Sequence, residues 1–224
     1  MSNYSRAIVN AIETFLTNLD WNYRFDEDNG IFHFGTRLKG KIKTIKYYVF
    51  VHEDSFSTIA VSPIEVDHKN PEEIAVMAQF LCRANYGLRN GNFELDVRDG
   101  EIRYKSFNNI RGMEVSREVI KDSIFVSAAM FERYSQGIVG IIYGGLDAKE
   151  AMDLCEGRAR EHLRRLLVEL EGGSAQSADA EDGTEGEDGE VTVAGEESGG
   201  GSEEDAFETT LRLLREALHE SGEE

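Results

Sequence analysis

Histidine and cysteine, the side chains that most often carry catalysis or bind metals, are few and scattered in this sequence. The histidines are His33, His52, His68, His162 and His219. None is spaced with a second histidine, a cysteine or a carboxylate as zinc ligands usually are. The two cysteines, Cys82 and Cys155, fall on the apolar stripes of predicted helices, which favours core packing of reduced thiols over a disulfide or a redox role. The sequence therefore indicates no catalytic residue, no metal site and no cofactor.

Glycine and carboxylate patterns that could bind phosphate or calcium are present only as fragments. The glycines of the stretch 137–145 lack the spacing, the lysine and the preceding strand of a phosphate-binding loop, so we interpret them as helix breaks. Residues 26–30, Asp-Glu-Asp-Asn-Gly, resemble the opening of a calcium loop. However, the glycine stands fifth rather than sixth, and Arg37 occupies the twelfth position, where calcium loops carry glutamate. These residues instead predict a hairpin turn.

The charge of the chain is strongly negative and unevenly distributed. The first 170 positions hold 25 acidic and 22 basic residues, and the remainder holds 18 acidic and 2 basic residues. A net charge of -19 repels polyanions, which argues against nucleic-acid binding. One basic cluster spans a connection between strands: Arg37, Lys39, Lys41, Lys43 and Lys46. We interpret it as a solvated sheet edge whose lysines discourage aggregation.

Localisation is predicted from the absence of hydrophobic targeting signals. The N-terminal residues lack the apolar segment of a secretory signal, and no stretch approaches the roughly 18 apolar residues of a membrane span. We therefore expect a cytoplasmic protein that does not bind a membrane.

The hydrophobic periodicity indicates which elements would position any site. Apolar residues at helical spacing predict a first helix over residues 4–19. Two-residue alternation then predicts four strands in succession: around 21–25, 31–34, 42–52 and 56–62. On two of these strands, His33 and His52 could face each other, although a surface histidine is the simpler interpretation. Asn70, Pro71 and Glu73 predict the start of a second helix that ends near residue 86.

The second half of the chain continues with a hairpin and two further helices. Alternation over 93–97 and 102–104 around Asp99 and Gly100 predicts the hairpin. Ser116 is placed to cap a third helix, and Asp147 with Glu150 predicts the cap of a fourth that extends to about residue 170. The expected fold is thus α+β, an antiparallel sheet flanked by helices in the order helix, four-strand meander, helix, hairpin, helix.

The composition divides the chain into four segments. Residues 1–145 form the expected α+β domain, and residues 146–171 form the additional helix packed on it. Residues 172–203 are rich in glycine, serine and acidic residues and predict a disordered linker. Residues 204–220 predict a short amphipathic helix, and its apolar positions are the candidate partner-binding residues: Phe207, Leu211, Leu214 and Leu218.

One stretch resembles a known family. Residues 80–96 run from a helix into a Phe-x-Leu-Asp strand, and residues 99–104, Asp-Gly-Glu-Ile-Arg-Tyr, supply the turn and return strand. Together with the order of elements over residues 5–145, they resemble the YbjN family of bacterial sensory transduction regulators. The resemblance implies the fold of type III secretion chaperones and no established enzymatic activity. The fourth helix and the acidic tail depart from the usual family member, so a homodimer like that of the secretion chaperones stays an open alternative.

These observations favour a non-enzymatic protein-binding module, chaperone-like or regulatory, whose partner is an unidentified protein or peptide. One alternative is a homo-oligomer in which the third and fourth helices bury their stripes against a second copy. Another alternative is a small ligand-binding protein or an enzyme. Within the first hypothesis, the terminal helix either covers a groove on its own domain, serves an external partner or docks permanently.

Overall fold

The computed structural model describes residues 3–157, which form six strands and four helices. The fourth helix, α4, begins at residue 148 and is described to residue 157. The other elements are, in chain order, α1 (Arg6–Asn18), β1 (Tyr23–Asp26), β2 (Ile31–Arg37), β3 (Thr44–Val51), β4 (Ser55–Val61), α2 (Pro71–Asn85), β5 (Asn92–Leu95), β6 (Ile102–Asn109) and α3 (Arg117–Gly144). The predicted fold class and order of elements are confirmed. The predicted linker and terminal helix lie outside the described residues.

All six strands form one antiparallel sheet with the order β1-β2-β3-β4-β6-β5. The first four strands are the predicted meander, and the β5–β6 hairpin joins it because β6 pairs with β4. The edge strands are therefore β1 and β5, each only four residues long. The interpretation of the basic cluster as a sheet edge is wrong, since β2 and β3 are internal neighbours and the connection between them folds towards α3. There, the backbone N–H of Lys39 donates to Glu132 and that of Lys41 to Ser135.

The first hairpin turn confirms the prediction for residues 26–30. The carboxylate of Asp26 accepts hydrogen bonds from the backbone N–H groups of Asp28 and Asn29 at 3.0 and 3.2 Å. Gly30 has φ of +68°, and a Cβ there would overlap the ring of Tyr4. Only glycine meets both requirements, so this position fixes the turn and the packing of the N-terminal segment together.

The helix starts follow the predicted caps, with one difference. Asn70 accepts from the backbone N–H groups of Glu72 and Glu73, as expected of a cap. Glu73 does not reach back to the cap amide, because its carboxylate instead accepts from the N–H of Asp67 in the preceding loop. At the start of α4, Asp147 and Glu150 make the reciprocal pair of bonds that the sequence predicts.

The helix α3 continues through Gly137 and Gly140, because these two glycines are packing residues rather than helix breaks. At Gly137 a Cβ would overlap the ring of Phe80 on α2 and stand 3.0 Å from the sulfur of Cys155 on α4. A Cβ at Gly140 would meet Leu146. The helix ends where expected, with Gly145 in the left-handed conformation at φ +64°. The glycines therefore allow three helices to approach closely.

The buried face of α2 is rotated relative to the prediction. Met77, Phe80, Leu81 and Ala84 are buried, whereas Ala78 and Cys82 are exposed. The core position predicted for Cys82 is wrong, while Cys155 is buried as predicted. The displacement arises because α2 lies beside β5 and α3 and not squarely on the sheet.

The helices form one layer against one face of the sheet, and α3 is its centre. Aromatic contacts join the two layers at both ends: Trp21 with Phe125, and Phe93 with Phe131. The phenol of Tyr47 donates to the carbonyl of Ile124 at 2.8 Å, and burial raises its pKa above the ordinary value. No helix within residues 3–157 is long and apolar enough to cross a membrane.

Candidate functional site: the open face of the sheet

The second face of the sheet is not packed against any helix among the described residues. Since successive side chains of a strand point to opposite faces, the residues that alternate with the buried core positions along each strand belong to this open face. Its members form three rows across the strands. The first row is Asp26, Ile31, Phe50, Ser57 and Phe107; the second is Arg24, His33, Tyr48, Ile59, Lys105 and Asn92; the third is Gly35, Lys46, Val61, Arg103 and Glu94. Arg37 and Thr44 stand beyond the third row.

The centre of the open face is apolar. Phe107 is 59% exposed, and Ser57 beside it is only 8% exposed because Phe50 and Phe107 flank it on the neighbouring strands. His33 and Tyr48 pack edge to face with ring centroids 5.1 Å apart. The aliphatic and aromatic members of this centre are Ile31, Tyr48, Phe50, Ile59, Val61 and Phe107. A contiguous apolar surface of this kind on a sheet is typical of a binding surface.

The periphery of the open face is basic. Its strand positions carry two acids, Asp26 and Glu94, against five cations: Arg24, Arg37, Lys46, Arg103 and Lys105. This gives a net charge of +3. Residues 1–157 as a whole carry 18 basic and 23 acidic residues, a net charge of -5. The open face therefore concentrates positive charge on a negatively charged domain.

The few acids on and next to the open face are already engaged. Glu94 accepts from Arg103 at 2.7 Å and lies 4.0 Å from Lys105, and Glu101, just before β6, lies 3.6 Å from Arg103. Hydrogen bonds from Asn29 hold the pKa of Asp26 below its ordinary value, so this carboxylate stays ionised within its turn. In contrast, no ion pair among residues 3–157 involves Arg24, Arg37 or Lys46. Arg37 and Lys46 thus have no ion-pair partner among these residues, and the charge of Arg24 acts on Asp26, whose pKa it helps to lower.

One pocket among the described residues lies between the end of α2 and α3. Its lining includes Arg83, Tyr86, Arg133 and Glu156, and its volume is about 40 Å³. That volume holds two or three water molecules and no organic ligand. Two wider clefts, of about 450 and 310 Å³, lie beside α1 and are lined by helix and loop residues. The open face, which combines a continuous apolar centre with a basic periphery, is the candidate binding site.

A cluster of buried hydroxyl groups joins α3 to the sheet. The hydroxyl of Ser123 bonds to those of Thr58 at 2.6 Å and Ser106 at 2.8 Å, and it accepts from Asn108 at 3.0 Å. A nucleophilic serine requires a base such as histidine or a carboxylate, and all three hydrogen-bond partners of this hydroxyl are neutral. The arrangement fits a structural network that fixes α3 over β4 and β6.

The fold separates the residues that the sequence analysis considered as possible catalytic or metal-binding residues. His33 pairs with Tyr48, and His52 lies beyond the end of β3, so the two histidines do not face each other. Within residues 3–157, no group of three or more histidine, cysteine and acidic residues could hold a metal ion. The candidate partner-binding residues, Phe207, Leu211, Leu214 and Leu218, lie outside the described residues.

Sequence reasoning missed the open face, although a signal was present. A strand that is covered on one side usually alternates apolar and polar residues. The run of Tyr47, Tyr48, Val49, Phe50 and Val51 in β3 is instead apolar without interruption. This pattern shows that both faces of the strand are apolar, and it marks the centre of the candidate surface.

Comparisons with known proteins identify a family. The family profile named YbjN, described as "Putative bacterial sensory transduction regulator", matches residues 9–138, more than half of the chain. The crystal structure of YbjN from E. coli, titled "a putative transcription regulator", is 12% identical and has a TM-score of 0.41; the match covers 55% of this chain and 85% of that one. No curated protein matches the sequence. The chain belongs to the YbjN family.

Proposed function

We propose that this protein is a non-enzymatic regulatory module of the bacterial cytoplasm that binds an acidic, amphipathic protein segment on the open face of its sheet. The observation that carries the proposal is an apolar centre within a basic periphery on a sheet face that no described helix covers. A regulatory role agrees with the description of the family.

The apolar centre would supply most of the binding energy. Burying a phenylalanine side chain contributes about 1.5–3 kcal/mol relative to full exposure, and more than half of Phe107 is available for burial. Tyr48 and Phe50 add flat aromatic area in the adjacent rows. A partner with three or four large apolar side chains on one face of a helix would match this surface.

The basic periphery would supply selectivity. Cations around an apolar surface attract acidic partners and reject basic ones, and exposed pairs of this kind weaken as salt is added. A nucleic acid would also meet these cations, but the -19 charge of the whole chain opposes a polyanion. A protein segment with a few acidic residues near an apolar stripe is the better match.

Absence of enzymatic activity is part of this proposal. It is supported by the neutral surroundings of the Ser123 hydroxyl and by the small size of the pocket beside Arg133. The alternative of a small ligand-binding protein or an enzyme would use the clefts beside α1, whose volumes are about 450 and 310 Å³.

The homo-oligomer alternative required α3 to bury its apolar stripe against a second copy, but this stripe is already covered. Its apolar residues, among them Ile120, Ile124, Phe131 and Ile138, are buried within the protein's own core. An oligomer formed through the open faces would oppose two surfaces of charge +3, which disfavours that arrangement as well.

The test compares two full-length variants, each losing one exposed aromatic residue. Phe107→Ser alters the open face, and Tyr143→Ser alters the layer of helices, where Tyr143 is 71% exposed. Both variants should fold, because neither side chain is buried. We expect proteins captured from a nuclease-treated native lysate by the wild type to be depleted about tenfold or more by Phe107→Ser, and retained by Tyr143→Ser.

Quantitative mass spectrometry measures the capture, and light scattering measures the oligomeric state. Identical sets of captured proteins with both variants would exclude the open face as the binding surface. A stable oligomer that Phe107→Ser dissociates would establish the homo-oligomer instead. Material captured from an untreated lysate but not from the nuclease-treated one would indicate a nucleic-acid partner.

A further inference from the structure

We propose that the resting occupant of the open face is the C-terminal segment of the same chain, residues 204–220. This inference rests on the proposed function and names the ligand that an external partner must displace. Three observations carry it: the charge of the two surfaces, their dimensions and the length of chain between them.

The charges of the two surfaces are complementary. The C-terminal segment contains five acidic residues and two arginines, a net charge of -3 with histidine neutral, against +3 on the open face. Its acids stand near both ends, at positions 204, 205, 208, 216 and 220, on either side of the apolar stripe. The cations of the open face likewise surround its apolar centre, with Arg24 towards one edge and Lys105 towards the other.

The dimensions of the two surfaces also agree. From Phe207 to Leu218 a helix advances eleven residues, or about 17 Å. The apolar centre extends from β2 to β6 across three strand spacings, or about 14 Å. A single helix of this length would therefore place its four apolar side chains over the centre and its acidic ends over the basic periphery.

The connecting chain is long enough to allow this contact. Forty-nine residues lie between Gly157, the last described residue, and Phe207, and such a chain reaches up to about 160 Å when extended. Every part of the domain lies within that distance. A tethered segment is present at roughly millimolar effective concentration, so even a weak helix would occupy the surface until a partner competes for it.

The experiment locates the segment by paramagnetic broadening in the full-length protein. Thr210→Cys places a nitroxide label beside the stripe, and Cys82→Ser removes the exposed native thiol, leaving Cys155 buried. We expect the amide signals of Tyr48 and Phe107 to lose at least twofold more intensity than that of Tyr143 on the helix layer. Equal broadening of all three signals, or none, would overturn the inference.

A matched pair of substitutions tests the stripe. Leu211→Asp lies on the stripe, whereas Leu213→Asp changes the same residue type away from it. Selective broadening should disappear with L211D and persist with L213D; an equal effect of both would overturn the inference. A mixture of nitroxide-labelled chains with isotope-labelled chains that carry no nitroxide tests for contacts between molecules. Broadening seen only in that mixture would assign the contact to a second copy and would overturn the inference.

Failure of this inference can be distinguished from failure of the proposed function. If Phe107→Ser depletes a captured partner while the label at position 210 broadens no open-face signal, the surface binds that partner without an internal competitor. If the inference holds, L211D should also capture more partner than L213D does, since it frees the surface.

Discussion

Substitution of Ser123 by alanine tests whether the buried hydroxyl network holds α3 on the sheet. The Ser123 hydroxyl is the hub of three hydrogen bonds: with Thr58 at 2.6 Å, with Ser106 at 2.8 Å and with Asn108 at 3.0 Å. All of these partners belong to β4 or β6, so the bonds cross from the helix layer to the sheet. Loss of one hydroxyl removes all three bonds at once.

The cost of Ser123→Ala follows from the partners it leaves behind. Thr58 is fully buried and would keep no hydrogen-bond partner, which costs about 1–3 kcal/mol. Ser106 retains the carbonyl of residue 123 at 3.3 Å, and Asn108 is only half-buried and can bond to water. Alanine has a better helix propensity than serine, which raises the free energy of unfolding by about 0.5 kcal/mol and offsets part of this loss. The free energy of unfolding should therefore fall by about 2 kcal/mol.

Urea unfolding measures this loss through the fluorescence of Trp21, the only tryptophan in the chain. Ser127→Ala is the matched control, because that hydroxyl makes one long bond of 3.4 Å to its own helix and should cost less than about 1 kcal/mol. The double variant Thr58→Val with Ser123→Ala removes both members of the orphaned pair and should be more stable than S123A alone. If the double variant is less stable than S123A, or if S123A costs no more than S127A, the reasoning is wrong.

Three further results are expected from substitutions and from pH. Gly137→Ala should lower the free energy of unfolding by about 1–3 kcal/mol through steric overlap with its neighbours. Gly144→Ala, whose methyl group would meet Leu146 only at an ordinary contact distance of 4.0 Å, should be neutral or stabilising in thermal unfolding. Asn85→Ala should cost about 2 kcal/mol and accelerate amide exchange in β5, since this side chain bonds both backbone groups of the edge-strand residue at 93. Burial raises the pKa of Tyr47 and Tyr104 above the unfolded value of 10.0. The free energy of unfolding should therefore keep its whole value below pH 10. Above pH 10 it should fall by roughly 1.4 kcal/mol per pH unit for each tyrosine, because only the unfolded chain loses these protons. Urea titrations at pH 9–11 check this slope, and Tyr47→Phe should remove one tyrosine's share of it.

Local signals in the sequence were sufficient to predict most of the fold. Asp26 and Gly30 predicted a turn because their backbone requirements are local, and the cap pair of Asp147 and Glu150 formed as expected for the same reason. The errors arose where the decisive contact was remote in sequence. Gly137 was interpreted as a helix break because nothing near it in the chain reveals that Phe80 needs its space.

The candidate site was harder to predict because it depends on which strands become neighbours. Phe107 reaches the row of Phe50 only because β6 inserts beside β4 instead of extending the chain order of the sheet. Neither the pairing nor the position of the helix layer can be deduced from a two-residue alternation. The unbroken apolar run in β3 was the indication in the sequence that both faces of the sheet carry apolar residues.

The distribution of charge provides the strongest argument that the open face has a function. A sheet face that only needed to remain solvated could carry acids, as the rest of this protein does, at no cost to the core. Instead it carries five of the 18 basic residues of the first 157 positions and two of their 23 acidic residues, placed around apolar side chains. Because solubility alone favours neither the apolar centre nor the concentration of cations around it, the simplest explanation is a ligand that is both apolar and acidic. The expected decrease in binding on Phe107→Ser tests the apolar requirement. The acidic requirement predicts that Lys46→Glu weakens the same binding most at low salt, while a loss independent of salt would show that the cations do not contribute through their charge.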